Sequence, residues 1–285
     1  MNDLLEAYHR IDRTDTCVLS SIFRNMWDFE YVPLHAIIRD CAFKEDRLEL
    51  ILKKLSSMGI VENKYDEYLG TRFTFKGLSV FSLKRLVMKG IISKMGNILG
   101  EGKESVVFNA LNDRNEELAV KFHRVGYPSF KKVREKRNYG TLHITVLTVR
   151  SAKREYSALK RLYGYVSVPE PIFFDGNAVV SRLIDARELY RVRLKNPEEV
   201  LEMIIDEVRK MYHRGVIHGD LSQFNILANQ EGIWIIDFPQ YADVWSPHSD
   251  EILKRDVSNI IDYFDRSYGV KKDLNEVLNY VRGRA

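Results

Sequence analysis

The chain has 285 residues, a length that fits about two domains, each large enough to bury its own core. With 45% hydrophobic, 11% aromatic and 29% charged residues it falls in the ordinary globular range, which excludes a disordered or collagen-like chain. Lys+Arg 44 against Asp+Glu 40 leaves a formal net charge of +4, too small to argue for nucleic-acid binding unless base is concentrated locally.

The first fifteen residues are broken by Asp3, Glu6, Arg10, Asp12 and Arg13, and no run of 18 apolar residues follows, so a cytoplasmic chain without a membrane anchor is expected. Cys17 and Cys41 form no CxxC and no disulfide-dense pattern, which fits a reducing compartment. Residues 14–29 place Val18, Ile22 and Met26 on one helical face, with Thr14 or Asp15 as N-cap. Pro33 suits the first turn of a short helix, PLHAIIRDC. Residues 44–58 predict a third helix, with Leu48, Ile51, Leu52 and Leu55 at helical spacing and Gly59 as its stop. Two strands, IVENKYDEY and TRFTFKG, joined around Leu69 and Gly70, precede an amphipathic helix, SVFSLKRLVMKG. This order over residues 1–90 resembles a winged helix with its recognition helix starting near Lys44. Those residues hold 14 Lys/Arg and 13 Asp/Glu, so nucleic-acid contact and plain protein docking both stay open as its role.

A second domain begins at residue 91, where strand, glycine turn, strand, the loop NDRNEE and the strand LAVKFHRV succeed one another. Gly100, Gly102, Lys103 and Ser105 sit in that glycine turn, whose open backbone suits phosphate oxygens, although a plain hairpin turn accounts for it equally well. It is not a Walker A loop, because Asn97 stands where the first glycine belongs and Glu104 follows Lys103. Lys121 on the third strand needs a charged partner if it points inward, and Glu155 in the helix SAKREYSALKRLY is the best candidate; a surface lysine and a solvated glutamate are the plain alternative. That helix is expected to bury Tyr156, Leu159 and Leu162.

The decisive segment is HGDLSQFNIL at 218–227, followed by IIDFP at 235–239. An aspartate, an asparagine after four intervening residues, and a second aspartate behind an apolar strand match the parts that orient an attacking group and hold a divalent cation. The flanking apolar runs, NILAN and GIWIIDF, present Asn225 and Asp237 from adjacent hairpin strands. His143, His213 and His248 have no metal-ligand spacing, and Trp27, Trp234 and Trp245 read as core or interface aromatics. Asp256 is either a brace for the catalytic loop or an ordinary acid in the first turn of a helix.

GEGKESVVF, AVKFH, RSAKREY, HGDLSQFNIL and IIDFP, together with the N-terminal winged helix, resemble the RIO family of atypical protein kinases, in the branch that carries a winged helix. The resemblance implies an α+β fold: a winged-helix domain at 1–90, then a bilobal kinase-like domain at 91–285, with an N-lobe to about 180, a hinge at 181–184 and a C-lobe from 185. It implies Asp220 as the catalytic aspartate, Asn225 and Asp237 as Mg²⁺ ligands, and Lys121 with Glu155 as the phosphate-binding pair. Ser105 and the Gly100, Gly102, Lys103 turn would meet the triphosphate, and Arg182 and Ile184 in the hinge would meet adenine, mostly through backbone. ATP and Mg²⁺, with Mn²⁺ standing in, are the cofactors implied.

Departures from ordinary protein kinases carry their own message. Ser222 stands where Ser/Thr kinases place a lysine, Pro239 replaces the glycine of Asp-Phe-Gly, and only 48 residues follow Asp237, with no Ala-Pro-Glu. An activation segment and peptide-binding helices are therefore not expected, and the resemblance implies an ATPase-like cycle with a phosphoaspartate at Asp237. Residues 121–161 hold 12 Lys/Arg against Glu135 and Glu155, a net of +10 beside −6 elsewhere. The basic loop at 124–147, with Lys131, Lys132, Arg134, Lys136 and Arg137, suits an RNA backbone, and the resemblance implies a pre-ribosomal small subunit and its rRNA as the partners, met by a monomer. Two rival readings are an aminoglycoside-type small-molecule phosphotransferase and a winged-helix regulator with a nucleotide-sensing domain.

Overall fold

The computed structural model describes residues 2–65, 68–125 and 144–283. These fall into two compact units, one of residues 1–152 with 173–180, the other of residues 153–172 with 181–285. The basic loop expected at 124–147 has its five named cations, and His143, outside the described residues.

The first unit opens with a helix absent from the sequence reading, α1 (Asn2–Arg10), then α2 (Arg13–Asn25), β1 (Val32–Pro33), α3 (Leu34–Cys41), α4 (Glu45–Ser57), β2 (Val61–Tyr65), β3 (Leu69–Phe73) and α5 (Phe75–Met88). Asp12, and neither Thr14 nor Asp15, caps α2. Its carboxylate accepts from Asp15 N at 2.9 Å while Asp15 accepts from Asp12 N at 2.9 Å, a capping box closed between two aspartates. Asp15 is fully buried and receives Lys54 Nζ at 2.5 Å, which ties α2 to α4. Leu69 and Gly70 lie inside β3, paired with Tyr65 and Lys64, so the hairpin connection precedes them. Pro33 ends β1, which pairs with β3 at Val32–Thr71, and it stands just before α3 rather than within its first turn. A two-residue strand is too short to carry a periodic signal. Cys17 and Cys41 are joined by a disulfide between α2 and α3, a pairing that spacing did not announce.

The apolar faces predicted for α2 and α4 are the ones buried, and their cluster extends through Leu78 and Phe81 of α5 to Val146 and Val149. The latter two lie on α6 (Ile144–Leu162), and Phe174 of β7 (Pro171–Asp175) packs on the same cluster. The winged helix therefore shares its core with the segments that follow it. A five-stranded sheet in the order β4-β5-β6-β8-β7 is built from β4 (Lys94–Glu101), β5 (Ser105–Leu111), β6 (Glu117–His123), β7 and β8 (Ala178–Arg182). Asn177 links it to α5: its Nδ2 donates to Ser79 Oγ at 2.9 Å and to His123 O at 2.7 Å, and its Oδ1 accepts from Ser82 at 2.9 Å.

The second unit holds the rest of α6, then β9 (Arg187–Glu188), α7 (Pro197–His213), β10 (Val216–Ile217), β11 (Ile226–Ala228), β12 (Ile233–Ile235), β13 (Ala242–Asp243), α8 (Ser249–Tyr268) and α9 (Leu274–Arg282). β12-β11-β9 form a small antiparallel sheet and β10-β13 a two-stranded one. Trp245 is 89% exposed and is no core residue. No described helix is long and apolar enough to cross a membrane.

Candidate active site

The sequence-selected residues divide between the two units. In the first, Gly100 lies within β4, only residues 102–104 form the turn, and Ser105 opens β5, so the strands run further into the glycine segment than its composition suggests. Gly102 N donates to Ser105 O at 2.9 Å to close the hairpin. Arg124, which the sequence reading did not single out, holds this turn: its Nη2 donates to Gly102 O at 2.5 Å and Glu101 Oε1 at 2.9 Å, and its backbone N to Glu104 O at 2.8 Å. Lys103 is exposed, and Lys121 on β6 stands opposite Val107 of β5, partly buried.

In the second unit Glu155 is buried on α6, which removes the solvated-glutamate alternative. Leu159 and Leu162 are buried beside it as expected, whereas Tyr156 is only partly covered. Arg182 donates from its backbone to Glu170 O at 2.9 Å and from Nε to Glu170 Oε2 at 3.3 Å, and Ile184 O accepts from Ala186 N at 2.9 Å.

Asp220, Asn225 and Asp237 come together around the β11–β12 hairpin. Asn225 immediately precedes β11, and its O accepts from Ile236 N at 3.0 Å, which brings the approach to Asp237 alongside it. Its side-chain Nδ2 donates to Asp220 O at 2.8 Å, so Oδ1, an acceptor, is the atom left to face a cation. Asp237 has φ +71°, a left-handed conformation uncommon for a non-glycine residue and characteristic of functional positions. Arg154 secures the chain beyond it, donating to Pro239 O at 3.3 Å and to Tyr241 O.

The loop that carries Asp220 is pinned from below. Asp256 accepts from Gly219 N at 2.7 Å (Oδ2) and from Leu221 N at 3.3 Å (Oδ1), while Asn259 donates to Leu221 O at 3.2 Å and Arg255 to Gly219 O. Asp256 lies well inside α8, beyond its first turn, and is the brace rather than a cap. Burial pushes its pKa up to about 6 despite the two N–H bonds that oppose the shift. His218, 1% exposed, accepts from Asp220 N at Nδ1 (3.3 Å), which assigns the proton to Nε2, 2.9 Å from Ile236 O. Its ring rests 4.6 Å from that of Phe238. One histidine therefore couples the Asp220 loop to the strand leading to Asp237. Burial of the carboxylate, then the charge on Asp237, raises the Asp220 pKa, with Arg255 opposing.

One carboxylate, that of Asp237, and the amide oxygen of Asn225 suit a hard divalent cation that takes its remaining ligands from phosphate oxygens and water. The repulsion between Asp220 and Asp237 is the charge such a cation would neutralise. Among the described residues no group of three or more His, Cys, Asp or Glu offers a self-contained metal site.

A family model described as RIO domain matches residues 106–277, and one described as Rio2, N-terminal, matches residues 8–89. The chain belongs to the RIO kinases, in the Rio2 branch. The RIO-type serine/threonine-protein kinase Rio2 of Methanocaldococcus jannaschii is 35% identical over 269 residues, covering 88% of this chain and 98% of the relative. Serine/threonine-protein kinase rio2 of Schizosaccharomyces pombe is 28% identical over 282 residues, covering 95% and 81%. A solved Rio2 kinase from Chaetomium thermophilum, described as an ADP/Mg²⁺-phosphoaspartate complex, aligns with a TM-score of 0.82 at 25% identity over 95% of this chain and 87% of that one. This RIO kinase is thus a phosphotransferase of the serine/threonine kinase class with a mixed helix and sheet fold. Only residues 238–248 separate Asp237 from α8 in it.

Proposed function

We propose that this RIO kinase runs an ATP- and Mg²⁺-dependent cycle in cytoplasmic small-ribosomal-subunit maturation, with Asp220 as catalytic aspartate and Asp237 as transient phosphoryl acceptor. The observation that carries the reading is the joint anchoring of this segment: Asp256 holds the loop of Asp220, His218 ties that loop to the strand before Asp237, and Asn225 donates to Asp220 O. The phosphoaspartate described for the Chaetomium relative supports the acceptor role. Mg²⁺, or Mn²⁺ in its place, would be held by Asn225 Oδ1 and the Asp237 carboxylate and would neutralise phosphate charge. Gly100, Gly102, Lys103, Ser105, Lys121 and Glu155 serve the triphosphate, and the 181–184 backbone serves adenine.

In the first step an Asp237 carboxylate oxygen attacks the γ-phosphorus, the bond to the β,γ-bridging oxygen breaks, and ADP leaves with its electrons. In the second, water attacks the phosphoryl group and Asp220 takes its proton, which restores the carboxylate and releases phosphate. The raised pKa of Asp220 makes it a better base for that proton than an ordinary carboxylate. The segment at 124–147 and the winged helix are the surfaces proposed for rRNA.

Single-turnover reaction with γ-labelled ATP, with and without small ribosomal subunits, tests the cycle. Label is expected in a hydroxylamine-sensitive adduct and then in free phosphate. A hydroxylamine-sensitive adduct that persists in Asp237→Ala overturns the acceptor assignment, and label stable on serine or threonine alone overturns the cycle.

A further inference from the structure

The C-terminal end of α7 and the residue after it present Arg209, Lys210, His213 and Arg214 to an open cleft of about 470 Å³. Tyr165 and, from α9, Tyr280 form its other walls. All belong to the second unit, and none to the catalytic loop or its braces.

Charge in this cleft is unevenly balanced. Its one lining carboxylate, Asp206, accepts from the Tyr280 hydroxyl at 2.6 Å, and Lys210 pairs with Glu207 at 2.6 Å. Among the described residues neither Arg209 nor Arg214 has a carboxylate within 4.0 Å. Each guanidinium instead lies over a tyrosine: Arg209 is 4.3 Å from the Tyr280 ring centroid and Arg214 is 3.3 Å from that of Tyr165. Stacking fixes the plane of a guanidinium while its N–H donors point outward along that plane, the arrangement that receives a phosphate through two bonds. The tyrosines stay 59% (Tyr165) and 42% (Tyr280) exposed, so ring surface is left for a further stacking partner. Cations in a last helical turn also offset the helix dipole, which accounts for Lys210 and His213. It does not account for two arginines mounted on tyrosines from two other segments.

We propose that this cleft is a second nucleotide-recognition site that takes one nucleotide unit of single-stranded RNA, its phosphate on Arg209 and Arg214 and its base on the tyrosine surface. A phosphopeptide would use the arginines but has no base to stack, and the two exposed tyrosines lining the cleft favour the nucleotide. A free nucleoside monophosphate presents the same unit.

The test is fluorescence anisotropy of labelled hexauridylate on the full chain, with Mg²⁺ and a saturating non-hydrolysable ATP analogue. The double variant Arg209→Glu, Arg214→Glu is expected to bind at least ~10-fold more weakly, with the salt slope of log K reduced by about 1 to 2. Tyr165→Ala is expected to lose several-fold in affinity with the slope unchanged, and autophosphorylation from ATP and the melting temperature are controls for both. Competition by uridine monophosphate as strong as by the hexamer supports the site with the free nucleotide as occupant. Unchanged affinity and slope in the double variant overturn the proposal, as does capture of a phosphoserine peptide in preference to the hexamer. On the unaltered chain, photocrosslinks from a 4-thiouridine hexamer at Tyr165 or Tyr280 support it, and crosslinks confined to other segments overturn it.

Discussion

Two glycine-bearing loops of this RIO kinase are held in opposite ways. In the catalytic loop Gly219 has φ +84°, and a β-carbon there would stand 2.4 Å from Gln240 O, so the fold itself demands glycine. Both backbone amides flanking Asp220 end on buried Asp256. In the hairpin at 100–105 neither glycine has a positive φ, a β-carbon at Gly100 meets nothing within 4 Å, and one at Gly102 meets only Ser105 O at 3.9 Å. Among the described residues the side chain of Arg124 secures that turn. The loop that carries Asp220, the proposed proton acceptor, is over-determined, whereas glycines with empty space above them keep room for something to approach, which is what the proposed phosphate cradle needs.

Four measurements break or sharpen that contrast. Asp220→Asn is expected to slow phosphoryl transfer by about 10²- to 10⁴-fold with ATP affinity little changed; a smaller loss in single-turnover rate removes Asp220 from the chemistry. Gly219→Ala is expected to cost about 3 kcal/mol in chemical denaturation, from left-handed strain plus the collision with Gln240, and an unaltered midpoint would show that the loop is not confined as described. Asp256→Ala strands two buried amides and is expected to cost about 2 kcal/mol. Because the folded pKa of Asp256 lies near 6, above its ordinary value of 3.8, the folded state holds that proton more tightly and this contribution to stability declines as pH rises from about 4 to about 6. The stability gap between parent and variant should therefore narrow over that window, and a gap that widens contradicts the burial-driven shift. Gly102→Ala should move the melting point by no more than the equivalent of about 0.5 kcal/mol while weakening ATP several-fold; a large loss of stability with intact ATP binding would reverse the contrast.

Legibility in the sequence followed range. HGDLSQFNIL and IIDFP were readable because the chemistry demands those residue types at short fixed spacings, and the flanking apolar runs announced the hairpin that brings Asn225 beside Asp237. The buried faces of α2 and α4 were readable from helical periodicity. The capping box missed by one turn, since Asp12 and Asp15 are both acceptable caps and only Lys54, 39 residues from Asp15, shows which role each plays. β1 was missed because its pairing with β3 is its only signal. Arg124 and Arg154 looked like members of a basic stretch, and nothing local marks them as the clamps on Gly102 and on Pro239 and Tyr241.

The amino-acid sequence by itself determined the parts of this kinase: Asp220, Asn225 and Asp237 at their short fixed spacings, the order of the Rio2 N-terminal and RIO domains, and the proline two residues after Asp237. The tertiary structure alone decided what makes those parts a site. Asp256 meets the catalytic loop 37 residues from Gly219, and Asp237 is set at a strained backbone angle. Both depend on contacts between segments distant in sequence, where spacing carries no information and only packing selects which polar group answers which.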